Sequence, residues 1–93
     1  MEIRISKKAE VELIKISHSG NKDIVLRIIE CLEQLSDDPF RPRPGVNIIQ
    51  LESIEPKLYR LRVGTYRIMY TIEKKQRVVN VTRVIHRKKA YKN

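Results

Sequence analysis

The segment 58–67, which reads LYRLRVGTYR, constrains the fold more than any other part of the chain. Its apolar residues alternate with Arg60 and Arg62, which is the period of a strand with one buried face. Gly64 then begins a two-residue turn, and glycine in the first position suits a type II′ hairpin. The sequence therefore predicts a β-hairpin in which Arg62 lies opposite Arg67.

The two faces of this hairpin differ in their chemistry. One face is apolar and consists of Tyr59, Leu61, Val63, Tyr66, Ile68 and Tyr70. The other face carries Arg60, Arg62 and Arg67. Like charges opposite each other across a strand pair are destabilising by roughly 0.2–1 kcal/mol, and a bound anion offsets this repulsion. Because guanidinium groups grip phosphate through a planar fork of donors, the pattern predicts a phosphate-binding sheet face.

The basic charge of the chain is concentrated in its C-terminal part. Residues 57–93 contain 12 Lys or Arg and one acidic residue, Glu73, whereas residues 1–56 contain 8 basic and 10 acidic residues. The whole chain of 93 residues has a formal net charge of +9. This asymmetry indicates a polyanionic partner, with nucleic acid favoured over an acidic protein.

Several classes of protein are excluded by what the sequence lacks. Cys31 is the single cysteine, so no intrachain disulfide can form. The sequence contains no signal-peptide pattern and no run of 18 apolar residues, so we expect a cytoplasmic protein that does not enter a membrane. The spacing of His, Cys and carboxylate residues does not suggest a metal site, and there is no glycine-rich nucleotide loop. We therefore expect neither a metal nor another cofactor.

The hydrophobic periodicity predicts one α+β domain over residues 1–93. In chain order we expect a strand at Glu2–Ser6, a helix capped by Ser6, a break at 18–21, a helix at Lys22–Ser36, a proline-rich loop at Asp37–Gly45, an extended segment at Val46–Leu51, strands at Leu58–Val63, Tyr66–Glu73 and Arg77–His86, and a basic tail. Two helices followed by hairpin-linked strands favour an antiparallel helix hairpin packed on one face of an antiparallel meander sheet.

Each predicted helix has one apolar side. In the first helix Ala9, Leu13 and Ile16 share this side, and Glu12 is expected to point mostly outward. The second helix has an apolar stripe consisting of Val25, Ile28, Ile29, Leu32 and Leu35, widened by Ile24 and Cys31. We expect these sides to cover the apolar face of the hairpin, which leaves the arginine face open.

Two motifs in the C-terminal half resemble a known family. They read YRxRxGxYR at residues 59–67 and HRxxxY at residues 86–91. In this order, on a basic chain of this size, they resemble the RelE/ParE superfamily of bacterial and archaeal toxins, and the likeness covers essentially the whole chain. The resemblance implies a toxin of a type II toxin–antitoxin pair, kept inactive by a bound antitoxin.

The resemblance implies one of two activities, and an inactive relative that only binds its antitoxin or DNA is a third alternative. The RelE-like branch cleaves mRNA in the ribosomal A site and is favoured here, whereas the ParE-like branch inhibits DNA gyrase without cutting nucleic acid. Arginines at positions 60 and 62, where the best-known RelE-like members have lysines, support the ParE-like alternative. The implied protein partner is an acidic, RelB-like antitoxin, through which alone the pair binds promoter DNA. Lys88 and Lys89 are expected to attract ribosomal RNA, with a strength that falls with salt.

The resemblance also implies site residues. Arg60, Arg62, Arg67, Arg87 and Tyr91 correspond to the residues that surround the scissile phosphate in RelE-like enzymes. Metal-free cleavage by the neighbouring 2′-hydroxyl needs a base, an acid and positive charge on the phosphorane. Arginine supplies the charge but gives up its proton reluctantly. The proton carriers must therefore be sought among the other residues.

His86 is a second candidate proton carrier beside Tyr91, because histidine titrates near neutrality. A two-residue turn at Lys74-Lys75 would bring His86 to the Arg67 face. A one-residue slip of the last strand would instead bring Arg87 there and move His86 away.

Overall fold

A five-stranded sheet with two helices packed on one face forms the fold, in a computed structural model that describes residues 1–53 and 55–90. The elements are β1 (Glu2–Ile5), α1 (Lys7–His18), α2 (Lys22–Asp37), β2 (Asn47–Glu52), β3 (Leu58–Val63), β4 (Tyr66–Glu73), β5 (Val78–His86) and α3 (Arg87–Ala90). The strand order is β1-β5-β4-β3-β2. Strands β3 to β5 form the predicted antiparallel meander, β2 extends it by pairing antiparallel with β3, and β1 pairs with β5 in parallel. Within the described residues, no helix is long and apolar enough to cross a membrane.

The two long helices begin where the sequence predicts and bury one side each. The Ser6 hydroxyl accepts the backbone N–H of Ala9 at 3.1 Å, which caps the start of α1. The buried residues of α2 are Ile24, Ile28, Leu32 and Leu35. The expected burial of Ile29 is wrong, since this side chain is 45% exposed. The helix is rotated towards Ile24 relative to the predicted stripe.

Aromatic residues connect the centre of the sheet to the proline-rich loop. The Tyr70 hydroxyl donates to the carbonyl of Pro39 at 2.8 Å, and the Tyr70 ring stacks on Tyr59 with centroids 5.4 Å apart. Phe40 meets the Tyr59 ring edge-on at 6.3 Å. These contacts fix the loop, which spans residues 38–46 between α2 and β2, to the core of the sheet.

The hairpin turn between β3 and β4 has the predicted register. Val63 faces Tyr66 and Arg62 faces Arg67. Gly64 has a φ of 57° and Thr65 a negative φ, which is the pattern of a type II′ turn. A Cβ on Gly64 would lie 3.2 Å from the Cδ1 atom of Ile24, so glycine also allows α2 to approach the turn closely.

The turn between β4 and β5 differs from the prediction. It contains four residues, Lys74–Arg77, rather than two, and Arg77 has a φ of 58°. Its backbone N–H donates to the Lys74 carbonyl at 3.2 Å. The Lys-Lys pair does not form a turn alone because a two-residue hairpin needs a positive φ that lysine disfavours.

A β-bulge shifts the register in the middle of β5. Met69 pairs with Arg83 while Tyr70 pairs with Val81, so that Thr82 is the extra residue. The Thr82 hydroxyl donates to the Met69 carbonyl at 3.2 Å, which satisfies that oxygen at the interruption. The bulge reverses the alternation of side chains in the second half of β5.

Glu12 forms a hydrogen bond to the backbone of β5 beyond the end of β1, where no strand of the described chain neighbours β5 on that side. Its Oε1 atom accepts the backbone N–H of Val84 at 2.8 Å, and its Oε2 atom accepts Nη2 of Arg83 at 2.9 Å. The expected outward orientation of Glu12 is therefore wrong. An edge N–H next to a packed helix needs an acceptor, and this carboxylate provides one.

The close approach of α2 to the hairpin turn predicts a large cost for a side chain at Gly64. Gly64→Ala should lower the free energy of unfolding by about 2–4 kcal/mol, because a strained φ and overpacking both contribute. Gly20→Ala is the matched control, since Gly20 also has a positive φ but has no atom within 4 Å of the position that a methyl group would occupy. Urea unfolding should show a smaller loss for Gly20→Ala, and equal losses would contradict the packing argument.

Burial of Tyr70 predicts a loss of stability at alkaline pH. Desolvation, with additions from Tyr59 and Asp38 that Arg43 opposes, raises the pKa of Tyr70 above its ordinary value. As pH rises, the unfolded chain releases the Tyr70 proton at a lower pH than the folded chain does. The contribution of Tyr70 to the free energy of unfolding is therefore complete below the ordinary pKa of about 10 and falls as pH rises above it. Urea midpoints between pH 8 and 11 should fall less steeply for Tyr70→Phe than for the wild type. An unchanged slope in Tyr70→Phe would refute the assignment.

Candidate functional site

The register of β3 and β4 places Arg60, Arg62 and Arg67 on the sheet face opposite the helices. Their exposure differs: Arg62 is exposed, Arg60 is half-buried and Arg67 is 4% exposed. The expectation of three open guanidinium groups is therefore wrong for Arg67. Its Nη1 atom turns back to the hairpin and donates to the carbonyls of Gly64 and Tyr66, both at 3.0 Å. These two carbonyls hold the guanidinium against the turn.

Two of these guanidinium groups carry a buried donor without an acceptor. The Nε atoms of Arg60 and Arg67 are buried and have no hydrogen-bond partner within residues 1–53 and 55–90. In the same part of the chain, the ion pairs involve other basic residues, and none includes Arg60, Arg62 or Arg67. Buried donors and unpaired buried charges are costly. This arrangement is typical of a site that receives an anion from outside.

Arg87 is held beside the same hairpin turn. Its backbone N–H donates to the Thr65 carbonyl at 2.7 Å, and this residue begins α3. The bulge at Thr82 places Ile85, rather than Val84, opposite Arg67. The residues after Thr82 are therefore shifted by one position relative to an unbroken strand. Arg87 follows directly after His86, the last residue of β5.

The expectation that His86 lies on the Arg67 face is wrong. His86 pairs with Tyr66, and the two rings meet edge to face with centroids 5.4 Å apart. The Nδ1 atom of His86 accepts the backbone N–H of Lys88 at 3.2 Å. The cause is the bulge at Thr82, which reverses the alternation between the distal turn and the end of β5.

The remaining predicted residues lie in or beyond α3. Lys88 and Lys89 are exposed, and Lys89 borders a cavity of about 210 Å³ together with Glu12 and His86. Tyr91 lies outside the described residues. Within the described residues, no group of three His, Cys, Asp or Glu side chains could hold a metal ion.

Residues 3–91 match the family described as the ParE toxin of the type II toxin–antitoxin system parDE. The chain belongs to this toxin family. None of the curated proteins matches it in sequence. The family match covers both motifs of the sequence and, apart from the first residue of β1, every helix and strand of the described chain.

Solved structures place this ParE-family chain within the wider RelE/ParE superfamily. The archaeal RelE–RelB complex of Pyrococcus horikoshii OT3 contains a chain that is 28% identical, with a TM-score of 0.78 over 92% of this chain and 93% of that one. The RelBE2 complex of Mycobacterium tuberculosis contains a chain that is 26% identical, with a TM-score of 0.73 over 92% and 96%. A YoeB/ParE toxin from Agrobacterium tumefaciens has a TM-score of 0.76 over 92% and 98% but only 11% identity, which shows the shared fold alone.

Sequence reasoning missed one basic residue of the toxin near the hairpin turn. Arg27 of α2 lies over Gly64, where a Cβ would be 3.4 Å from its Nη1 atom. The signal was available in part, because Arg27 follows the apolar Ile24 by three positions and so lies on the same side of the helix. The predicted apolar stripe is centred closer to Ile29 than the observed one, so it does not place Arg27 near the hairpin turn.

Arg67 carries a buried guanidinium with no carboxylate partner among the described residues, which predicts that this site lowers the stability of the toxin. Arg67→Met should raise the free energy of unfolding by about 1 kcal/mol, because the buried charge is removed while most of the packing volume is kept. Arg62→Met, at an exposed position on the same face, should change it by less than about 0.5 kcal/mol. Urea unfolding at low salt measures both. A loss of stability in Arg67→Met would mean that the fold already balances this charge.

Proposed function

We propose that the chain inhibits translation by cleaving mRNA in the ribosomal A site through attack of a 2′-hydroxyl on the adjacent phosphate. The observation that carries this proposal is the pair of buried Nε donors of Arg60 and Arg67, which have no partner among the described residues. The 28% identity to a chain of an archaeal RelE–RelB complex supports the same branch. A phosphate that becomes more negative in the transition state is the ligand that such donors favour most.

The arginines have different parts in this proposal. Arg67 and Arg60 stabilise the phosphorane, because both guanidinium groups are partly removed from water, where a charge interaction is stronger. Arg67 is also held in place by two carbonyls. Arg62 is exposed and binds the incoming strand. Arg87, at the same turn, adds charge near the departing 5′-oxygen.

We assign Tyr91 as the acid that gives its proton to the departing 5′-oxygen when the bond between that oxygen and phosphorus breaks, while water takes the proton of the attacking 2′-hydroxyl. Arg87 precedes Tyr91 by four residues. Our proposal does not use His86 in the chemistry, because its Nδ1 atom accepts a backbone N–H and its ring packs against Tyr66. Tyr91→Phe keeps the ring and removes only the hydroxyl, so it separates proton transfer from packing. The single-turnover cleavage rate of this variant should be lower than that of the wild type.

The proposed protein partner is an acidic, RelB-like antitoxin. Two similar toxins occur in RelE–RelB and RelBE2 complexes. In this chain 12 of the 20 Lys and Arg residues lie in residues 57–93, beside a single acid. An acidic segment that covers the arginine face would block the phosphate site directly.

The test is cleavage of a defined message on ribosomes with a known codon in the A site. Wild-type protein should produce a new 5′ end within that codon, which primer extension detects. Arg67→Met should lower the single-turnover rate by about 10²–10³-fold, which is typical when one donor to a developing oxyanion is lost. Since the same substitution is expected to raise stability, a loss of rate cannot come from unfolding.

Arg77→Met is the matched control for this experiment. It removes an exposed arginine at the opposite end of β4 and β5, in the turn Lys74–Arg77. Its cleavage rate should equal that of the wild type. Intact messages in cells whose growth stops on expression would rule the proposal out.

A ParE-like inhibitor of DNA gyrase is the second candidate, because the family that matches residues 3–91 is a ParE toxin family. Arginine at positions 60 and 62 is consistent with a face that binds an anionic surface without proton transfer. Loss of gyrase supercoiling activity in the purified system, together with intact mRNA, would favour this candidate.

A further inference from the structure

A second basic groove lies next to the arginine face. It has a volume of about 740 Å³ and runs between α2, the proline-rich loop and the β3–β4 turn. Arg27, Arg43 and Arg62 line it, and no carboxylate of the described residues does. A groove of about 580 Å³ at the far end of the hairpin is lined by both Glu73 and Lys74 and so has no uniform charge.

Arg27 reaches this groove instead of pairing on its own helix. Asp23 and Glu30 stand four residues before and three residues after it, which are the positions for helix ion pairs. Within the described residues no ion pair joins Arg27 to either acid. Its Nη1 atom lies near Gly64, at the rim shared with the hairpin turn.

Arg43 contributes charge to the groove in a fixed position. Its Nη1 atom donates to the carbonyls of Asp38 and Arg41, and its Nη2 atom donates to the carbonyl of Gln34, at 2.7–3.0 Å. These bonds cap the C-terminal end of α2, so Arg43 is held there by the fold. Its guanidinium keeps its positive charge, while three of its five N–H donors bond to these carbonyls.

Arg62 connects the groove to the arginine face, because it lines the groove and also lies opposite Arg67. We propose that the groove is a second phosphate-binding site, in which Arg27 and Arg62 hold the phosphate of the RNA strand next to the scissile one. The proposal rests on the function proposed above. It assigns Arg27 to substrate binding, with no part in bond cleavage.

The open shape and polar rim of the groove favour a single nucleic-acid strand. Arg27 and Arg62 are exposed, so they can follow a flexible backbone, and Asn47 at the rim adds a neutral polar group. Single-stranded RNA is bound by basic grooves of this kind, with a strong dependence on salt.

The experiment measures single-turnover cleavage on programmed ribosomes at increasing toxin concentration. Arg27→Gln should raise the toxin concentration for half-maximal rate by roughly fivefold to tenfold, as expected for the loss of one exposed charged phosphate contact. The maximal rate should stay at the wild-type value. Arg27→Lys should recover most of the loss, because the charge remains.

Lys22→Gln is the matched control, since it removes one exposed charge from the same helix away from the groove. Equal half-saturation values for Arg27→Gln and Lys22→Gln would overturn the proposal. A lower maximal rate in Arg27→Gln would also overturn it, because Arg27 would then act in the chemistry.

Two further outcomes distinguish failure of the groove proposal from failure of the proposed mRNA cleavage. If the wild type cleaves nothing on the ribosome, the proposed function fails and the RNA site fails with it. If cleavage by Arg27→Gln is normal but its complex with the co-expressed antitoxin dissociates faster, the groove is a protein interface and the RNA proposal is wrong.

Discussion

The packing of α2 and α3 against the Gly64–Thr65 turn is the constraint on which the rest of the site depends. The carbonyl of Gly64 accepts a hydrogen bond from Arg67, and the carbonyl of Thr65 accepts one from the N–H of Arg87. The missing side chain at Gly64 lets Arg27 approach from the helix side. Two residues thus bring together charged groups from a helix, a strand and the start of the tail.

Much of the fold follows from local patterns, and the exceptions have physical causes. The bounds of β3 and β4 and their register were predictable, because alternation and a glycine-first turn determine a hairpin within a few residues. The bulge at Thr82 was not predictable in this way. It depends on the Met69 carbonyl in the neighbouring strand and on Glu12 in α1, which supplies the acceptor for the edge of β5.

In the candidate site too, some features follow from local sequence patterns and others depend on contacts between distant parts of the chain. That Arg60, Arg62 and Arg67 share one face could be predicted from their spacing, because side chains alternate along a strand. The burial of Arg67 could not, since it depends on the direction of two turn carbonyls. The position of Arg27 depends on a modest rotation of α2, and apolar periodicity alone does not determine helix rotation to that accuracy.

The bulge at Thr82 decides which side chains at the end of β5 lie on the face of Arg67. One extra residue in β5 separates a first half, whose phase is fixed by the core, from a second half in which Ile85 lies opposite Arg67 and His86 lies opposite Tyr66. If β5 continued without the bulge in the phase of its first half, Val84 would pair with Arg67, and His86 would share the arginine face. Whether an imidazole shares the face of Arg67 is thereby decided by the phase of this strand as much as by residue identity.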